Sequence, residues 1–154
     1  MVKFENSLDR GTSCKRCFSG ATVSRLGYYI EGVLKEDIPD KIILCMGTNN
    51  LTKKRQSDME IAKEVIEVVN TCYNSGVNDV FVSGITIRPG YNERICQINK
   101  ILERNATYEF IDNSNILEWH LRGDRLHLNK EGTILLANNY LKSLNRRSFH
   151  NAFY

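Results

Sequence analysis

The stretch Lys41-Ile-Ile-Leu-Cys-Met-Gly-Thr-Asn-Asn50 decides which fold we expect. Residues 42–46 form an apolar run with no polar break, which is typical of a strand buried on both faces of a parallel sheet. The run stops at Gly47, and the amide side chains of Asn49 and Asn50 follow. Because ligands of open α/β sheets bind beyond the carboxyl ends of the strands, this pattern predicts a binding site here. A plain polar turn after a core strand is the alternative.

Helix-like and strand-like segments alternate through the rest of the chain. The predicted helices cover about 22–36, 58–75, 95–102 and 130–144, and the predicted strands cover 41–46, 79–85 and 108–112. Such alternation calls for parallel strands, right-handed crossovers and helices on both faces of the sheet. The same criteria allow a short helix around Phe4 and Leu8 and a short strand over 14–18.

Side-chain patterns give the expected ends and faces of these helices. We expect Thr22 to be the N-cap of the first helix and Asp58 that of the second. In the last helix, five apolar residues are expected to face the core: Ile134, Leu135, Ala137, Leu141 and Leu144. We therefore predict one domain over 1–145, followed by a loosely held tail over 146–154.

The composition is that of an ordinary globular domain. The chain has 154 residues, of which 42% are hydrophobic and 25% charged, so one domain with a real core is expected. Its net charge of +3 is too small to indicate nucleic-acid binding by itself. There is neither an apolar run long enough to span a membrane nor a hydrophobic signal core at the start. We expect a cytoplasmic protein with no membrane partner, and its oligomeric state is left open.

Cysteines and clustered cations give weaker signals. The five cysteines are scattered, which favours reduced thiols over a disulfide framework. Cys14 and Cys17 have Cys-x-x-Cys spacing, but no second pair completes a zinc site, so we expect incidental thiols. Lys53-Lys-Arg55 and Arg146-Arg147 are expected to be solvated charges, with a role toward phosphate as the alternative. No metal or organic cofactor is called for.

The segment Asp124-Arg-Leu-His127 carries the clearest chemistry. In a turn, a carboxylate three residues before a histidine can accept a hydrogen bond from the imidazole Nδ1–H. That bond fixes the tautomer and leaves Nε2 free to act as a general base. A chance surface pair is the alternative for this motif taken alone. Its position directly before the last helix favours a functional role.

Three motifs in this order and spacing resemble the SGNH (GDSL-type) hydrolase superfamily. They are Phe18-Ser-Gly-Ala-Thr22, Gly47-Thr-Asn49 and Asp124-Arg-Leu-His127-Leu-Asn129, and together they cover nearly the whole chain. Ile111-Asp-Asn-Ser-Asn-Ile116 and His127-Leu-Asn-Lys-Glu-Gly-Thr133 are similar to SGNH-type domains of uncharacterised invertebrate proteins, some encoded by retrotransposons. The resemblance implies a three-layer α/β/α sandwich with a flavodoxin-like parallel sheet. It also implies hydrolysis of a small ester by a serine nucleophile.

The resemblance assigns roles to four residues. His127 would be the general base and Asp124 its orienting partner. Gly20 would offer its backbone N–H, and Asn49 its side-chain amide, to the oxyanion. Fixed donors are effective where negative charge develops, and glycine permits close approach of the backbone to a substrate.

The sequence departs from this family in two places. The family's first motif is a strand ending in Gly-Asp-Ser, whose serine is the nucleophile, and this sequence contains no Gly-Asp-Ser. The first strand is therefore expected to be missing, as in a truncated copy. The family usually has aspartate where Asn50 stands. Four serines lie near the corresponding end of the chain: Ser7, Ser13, Ser19 and Ser24. Ser19 adjoins Gly20, but none has the strand–elbow–helix context of a nucleophile.

Two functions are consistent with these observations. The first is an SGNH-type esterase domain that is weakly active or inactive because the nucleophile is lacking. The alternative is a non-catalytic binding module, or a retroelement-associated protein that binds nucleic acid. Ester turnover that depends on His127 distinguishes the first from the second.

Overall fold

A computed structural model describes residues 15, 16, 18–53 and 55–150, with side chains up to residue 146. The expected helix around Phe4 and Leu8 lies outside these residues, as do Cys14 and Cys17. Of the short strand expected over 14–18, residues 15, 16 and 18 are described, and none of them belongs to a strand.

Three parallel strands form the described sheet. They are β1 (Lys41–Cys45), β2 (Asp79–Ser83) and β3 (Glu109–Ile111), in the spatial order β1-β2-β3. The register pairs Leu44 with Val82, and Val82 with Phe110. All three lie where strands were predicted, although β2 ends at Ser83, two residues before the predicted end. The predicted α/β class is therefore confirmed.

Four α-helices follow the predicted order. They are α1 (Val23–Glu36), α2 (Asp58–Asn74), α3 (Asn92–Glu103) and α4 (Lys130–His150), with short 3-10 helices at Asn50–Thr52 and Glu118–His120. The predicted end of the last helix near Leu144 was wrong, since α4 runs to His150. Residues 145–150 include neither glycine nor proline, so nothing in their backbone ends the helix.

The central strand β2 shows how the layers are arranged. Alternate residues of a strand point to opposite faces of the sheet. Val80 and Val82 belong to the core cluster that contains α1, α2 and α3. On the other face, Ser83 accepts a hydrogen bond from the hydroxyl of Tyr140 in α4 at 3.0 Å. Helices thus cover both faces of the sheet and make three layers.

A buried polar network joins α4 to the carboxyl ends of β2 and β3. The Asn113 amide donates to the Ser83 hydroxyl at 2.9 Å and to the Gly84 carbonyl at 2.7 Å. Its own oxygen accepts from Asn139 of α4 at 3.0 Å. Burial is the main reason that the pKa of Tyr140 is raised. The hydroxyl of Tyr140 is therefore a neutral donor in this network.

Two expectations about burial were wrong. Within the described sheet β1 is an edge strand, so Ile42 and Ile43 are only half-buried and Cys45 is exposed. In α4, Ile134 is 50% exposed, and the other four residues expected to face the core are half-buried. The reason is that α4 packs mainly on β3 and the second 3-10 helix. The fully covered part of the sheet is β2.

The helix starts also differ in detail from the prediction. Thr22 is the N-cap of α1, but its side chain makes no capping bond, and the Asn50 side chain accepts from the Val23 N–H instead. The N-cap of α2 is Ser57 rather than Asp58, because Ser57 and Glu60 form a reciprocal capping box. In the described part of the chain, no helix is both long and apolar enough to cross a bilayer.

Candidate active site

Asp124 and His127 form the predicted hydrogen bond. The imidazole Nδ1 lies 2.6 Å from the carboxylate Oδ2 of Asp124. The other oxygen, Oδ1, accepts from the backbone N–H groups of Leu126 and His127, both at 3.0 Å. Because an ionised carboxylate only accepts, Nδ1 must carry the proton, and the lone pair lies on Nε2. Nε2 has no partner among the described residues, and 67% of the His127 side chain is exposed.

These bonds stabilise the charged form of Asp124. The His127 side chain is the largest cause, followed by the two backbone N–H groups, and together they hold the pKa of Asp124 well below its usual value. The carboxylate is therefore ionised at any pH at which the imidazole could act as a base. The ionised carboxylate accepts the Nδ1 proton, so Nε2 is the nitrogen that can accept a proton from a substrate.

The backbone around the pair forms a tight hairpin. Leu121 and Leu128 make an antiparallel bridge, and the N–H of Arg122 donates to the His127 carbonyl at 2.7 Å. Arg125, at the tip, has a left-handed φ of 55°. The Asn129 side chain accepts from the Gly132 N–H at 2.9 Å, the usual geometry of an N-cap. The start of α4 therefore fixes one end of the loop that carries His127.

The turn after β1 is set by close packing of Gly47. Its φ is 109°, and a Cβ there would come within 2.8 Å of the Ile85 side chain. Glycine is thus required both by backbone conformation and by the approach of the neighbouring loop. The N–H of Asn50 donates to the Gly47 carbonyl at 3.0 Å and closes the turn. This turn presents the Asn49 side chain.

Asn49 and Gly20 lie side by side. The Asn49 amide donates one N–H to the Ala21 carbonyl at 2.9 Å. Its second N–H has no partner among the described residues, and neither has the backbone N–H of Gly20. Gly20 has a φ of 71° in an exposed turn, and no atom lies within 4 Å of where its Cβ would be. One N–H of each residue is therefore available to a ligand.

Asn50 has a different task from Asn49. It is 1% exposed. Its oxygen accepts from the Val23 N–H at 3.0 Å, and its amide donates to Gln56 at 2.9 Å and to Glu64 at 3.2 Å. An aspartate could not make the two donations, so the departure noted in the sequence matches the acceptors that surround this residue. Asn50 caps α1 and anchors it to the β1 turn.

In the structure, Asp124 is hydrogen-bonded to His127, and the Asn49 amide is hydrogen-bonded to Ala21, the residue after Gly20. Within the described part of the chain, no hydrogen bond joins one pair to the other. The catalytic and oxyanion roles of the four residues stay predictions.

Two of the four serines near the start of the chain lie among the described residues. Ser19 lies in the exposed turn beside Gly20. Ser24 is exposed in the first turn of α1, and its hydroxyl lies 3.3 Å from that of Thr22. Ser7 and Ser13 lie outside the described residues. Ser19 is therefore the described serine closest in sequence to the candidate oxyanion donors.

Two arginines make contacts near this turn that the sequence did not predict. Arg88 donates to the Thr48 carbonyl at 2.8 Å, next to Asn49. Arg94 pairs with Asp58 at 2.7 Å and also donates to two loop carbonyls, those of Leu51 and Gln56. Both arginines follow β2 in the sequence, and the residues that they contact follow β1. Because β1 and β2 are neighbouring strands, the loops that follow them lie close together, and the sequence alone does not show this pairing.

The other candidates for chemistry remain unremarkable. The described residues include no cluster of three or more His, Cys, Asp or Glu that could hold a metal ion. Cys45, Cys72 and Cys96 are free thiols, and only Cys72 is buried. Lys53 and Arg55 are exposed.

Comparison with solved structures shows that ester-cleaving enzymes share this fold. A carbohydrate esterase family 3 protein from Talaromyces cellulolyticus matches with a TM-score of 0.74 and 19% identity, over 92% of this chain and 78% of that one. An acetyl esterase mutant with acetate ion matches with a TM-score of 0.74 and 18% identity, over 83% of this chain and 68% of that one. TesA matches with a TM-score of 0.70 and 15% identity, over 82% of this chain and 73% of that one. No protein-family model and no curated protein matches the chain. The fold is therefore that of the esterase structures, and the site residues must be argued from their own geometry.

Proposed function

We propose that this chain carries an SGNH-type ester hydrolase site, with His127 as the general base and Asp124 as its orienting partner. One observation carries the proposal: the 2.6 Å bond that fixes the His127 tautomer and leaves Nε2 without a partner among the described residues. A histidine so oriented can take a proton from a hydroxyl or a water molecule. The esterase fold of the neighbouring structures supports this chemistry.

Gly20 and Asn49 supply the matching electrophilic half of the site. Each residue has an N–H group without a partner among the described residues, and the Asn49 amide reaches the turn that holds Gly20 through the Ala21 carbonyl at 2.9 Å. Such donors stabilise the oxyanion that forms when an ester carbonyl is attacked, by roughly 3–4 kcal/mol each in enzymes where one has been removed. A small acyl ester suits this reaction, and the similar acetyl esterase structure, which contains an acetate ion, is in keeping with an acyl group of that size.

We expect turnover to be weak, because the sequence has no Gly-Asp-Ser. Enzymes that lose a triad member but keep the oxyanion donors retain about 10³–10⁴-fold acceleration over water. The site is therefore expected to hydrolyse p-nitrophenyl acetate slowly, with His127 activating water. A covalent acyl-enzyme is not expected.

The decisive assay compares His127→Ala with a matched histidine variant. His120 also lies in this region, but its Nδ1 accepts from the Leu117 N–H and it has no carboxylate partner among the described residues. His120→Asn keeps an acceptor for that N–H. We expect His127→Ala to abolish hydrolysis of p-nitrophenyl acetate, Asp124→Asn to reduce it, and His120→Asn to leave it unchanged. Equal rates in wild type and His127→Ala would overturn the proposal.

A fluorophosphonate probe tests the nucleophile separately. No labelling is expected in the wild-type protein. Labelling of Ser19, lost in Ser19→Ala, would show that this serine is a working nucleophile and that the expectation of weak activity was wrong. Salt-sensitive binding of RNA or DNA, unchanged by His127→Ala and without ester turnover, would instead favour the binding-module alternative.

A further inference from the structure

Arg88 is fixed beside the candidate oxyanion donor Asn49. It lies in the loop after β2, and its guanidinium donates to the Thr48 carbonyl at 2.8 Å. The same group lies 5.1 Å from the centre of the Tyr91 ring. Its backbone N–H donates to the Asn92 side chain at 3.1 Å, which holds the loop at the start of α3. The position of the charge is therefore set from several sides.

Arg88 differs from Arg94 in what neutralises it. Arg94 pairs with Asp58 and donates to two carbonyls, so its donors are occupied by the protein. In the described part of the chain, Arg88 has no carboxylate within 4.0 Å and its guanidinium makes a single hydrogen bond. A half-buried guanidinium with four N–H groups still available is a ready receptor for a carboxylate.

We propose that Arg88 is the anion-binding part of the substrate cleft, and that the preferred ester is a half-ester of a short dicarboxylic acid, of the succinyl type. This inference rests on the proposed function, since it takes Asn49 as the site of the ester carbonyl. The Thr48 carbonyl belongs to the peptide unit that joins Thr48 to Asn49, and the Arg88 guanidinium lies 2.8 Å from its oxygen. The two groups are thus neighbours at this turn, so a carbonyl on Asn49 and a carboxylate on Arg88 suit an acyl chain of only a few carbons.

Binding of two stable esters tests this without turnover. Monomethyl succinate carries one ester and one carboxylate, and dimethyl succinate has nearly the same shape without the charge. Both are titrated into the wild-type protein and followed by ¹H–¹⁵N NMR. We expect the monomethyl ester to bind about tenfold more tightly, as for one charge-assisted contact. The difference should shrink in about 0.5 M NaCl, where screening is strong.

Two substitutions make the test specific. Arg88→Gln should remove the tenfold preference, and Arg88→Lys should keep part of it because the positive charge remains. Arg104→Gln, at the exposed end of α3, makes the same change in net charge away from the cleft and should keep the whole preference. Dispersed spectra of each variant establish that it is folded.

The outcomes separate this inference from the proposed function. Equal binding of the two esters to wild type, or a preference that survives in Arg88→Gln, overturns the anion subsite. Shifts at the amides of Gly20 and Asn49 that disappear in Arg88→Gln support it. A lack of ester turnover in the His127 assay would refute the hydrolase proposal alone, since binding at Arg88 does not require catalysis.

Discussion

Replacing Asn50 with aspartate introduces the residue that the resemblance to SGNH hydrolases predicts here, and it should destabilise this chain. The aspartate keeps one oxygen for the Val23 N–H, which Asn50 already satisfies at 3.0 Å. Its second oxygen replaces the amide that donates to Gln56 and to Glu64. The glutamine can turn its own amide to donate. Glu64 cannot, so two carboxylates meet in a site where residue 50 is 1% exposed.

The size of the effect follows from the Asn50–Glu64 distance. Two unit charges separated by 3.2 Å repel by about 5 kcal/mol at an effective dielectric constant near 20. Glu64 is half-buried, so solvent screens part of this repulsion. Binding of a shared proton relieves more of it. We expect the free energy of unfolding of Asn50→Asp to fall by about 3 kcal/mol near pH 7.

Urea unfolding followed by circular dichroism measures this loss, and a double-mutant cycle assigns its cause. Glu64→Gln alone should cost less than about 1 kcal/mol, and adding it to Asn50→Asp should recover about 2 kcal/mol. In Asn50→Asp, repulsion from Glu64 should raise the folded-state pKa of the introduced carboxyl. The loss of stability is therefore complete above that pKa, and it disappears below the ordinary carboxyl pKa of about 4. A penalty that Glu64→Gln does not relieve, or one equal at pH values near 4 and 7, would rule out carboxylate repulsion as its cause.

Three further predictions concern other parts of the molecule. A thiol reagent near pH 8 should modify exposed Cys45 but not Cys72 of the folded protein, because burial raises the pKa of Cys72 to about 11; peptide mapping that finds Cys72 labelled would contradict this. The carboxylate of Asp124 should stay ionised below the usual aspartate pKa of about 3.9, and its bond to the imidazole should stabilise the fold above that pH and be lost as pH falls further. A ¹³C NMR titration in which the Asp124 carboxyl has the ordinary aspartate midpoint would contradict this. Gly132→Ala should lower the free energy of unfolding by about 1–2 kcal/mol, since a Cβ would lie 2.6 Å from the His120 carbonyl oxygen; unchanged stability in urea would disprove it.

Local patterns explain why most elements could be predicted from the sequence. The helical spacing around Ile61, Val65 and Val68 marks the buried face of α2, and the apolar run after Asp79 marks β2. The bond between Asp124 and His127 joins residues three apart in a turn, so it too was accessible from sequence. Each of these features depends mainly on residues nearby in the sequence and little on the elements that pack against it in the fold.

Contacts between distant residues could not be predicted in this way. The bond from Arg88 to Thr48 spans 40 positions. The one from Val23 to Asn50 spans 27. Both depend on which strands and loops become neighbours in space. The local pattern of β1 likewise does not show that it is an edge strand of the described sheet, because an apolar strand looks alike in sequence whether one or two strands flank it.

Periodicity and turn chemistry act over a few residues. For this reason the alternation of strands and helices, the glycine at the turn after β1 and the Asp124–His127 pair were predictable from the chain alone. The contact of Asn49 with the Gly20 turn, the capping of α1 by Asn50 and the position of Arg88 beside the candidate site depend on the three-dimensional fold. Hydrogen bonds between loops form only after the sheet has brought the carboxyl ends of its strands together.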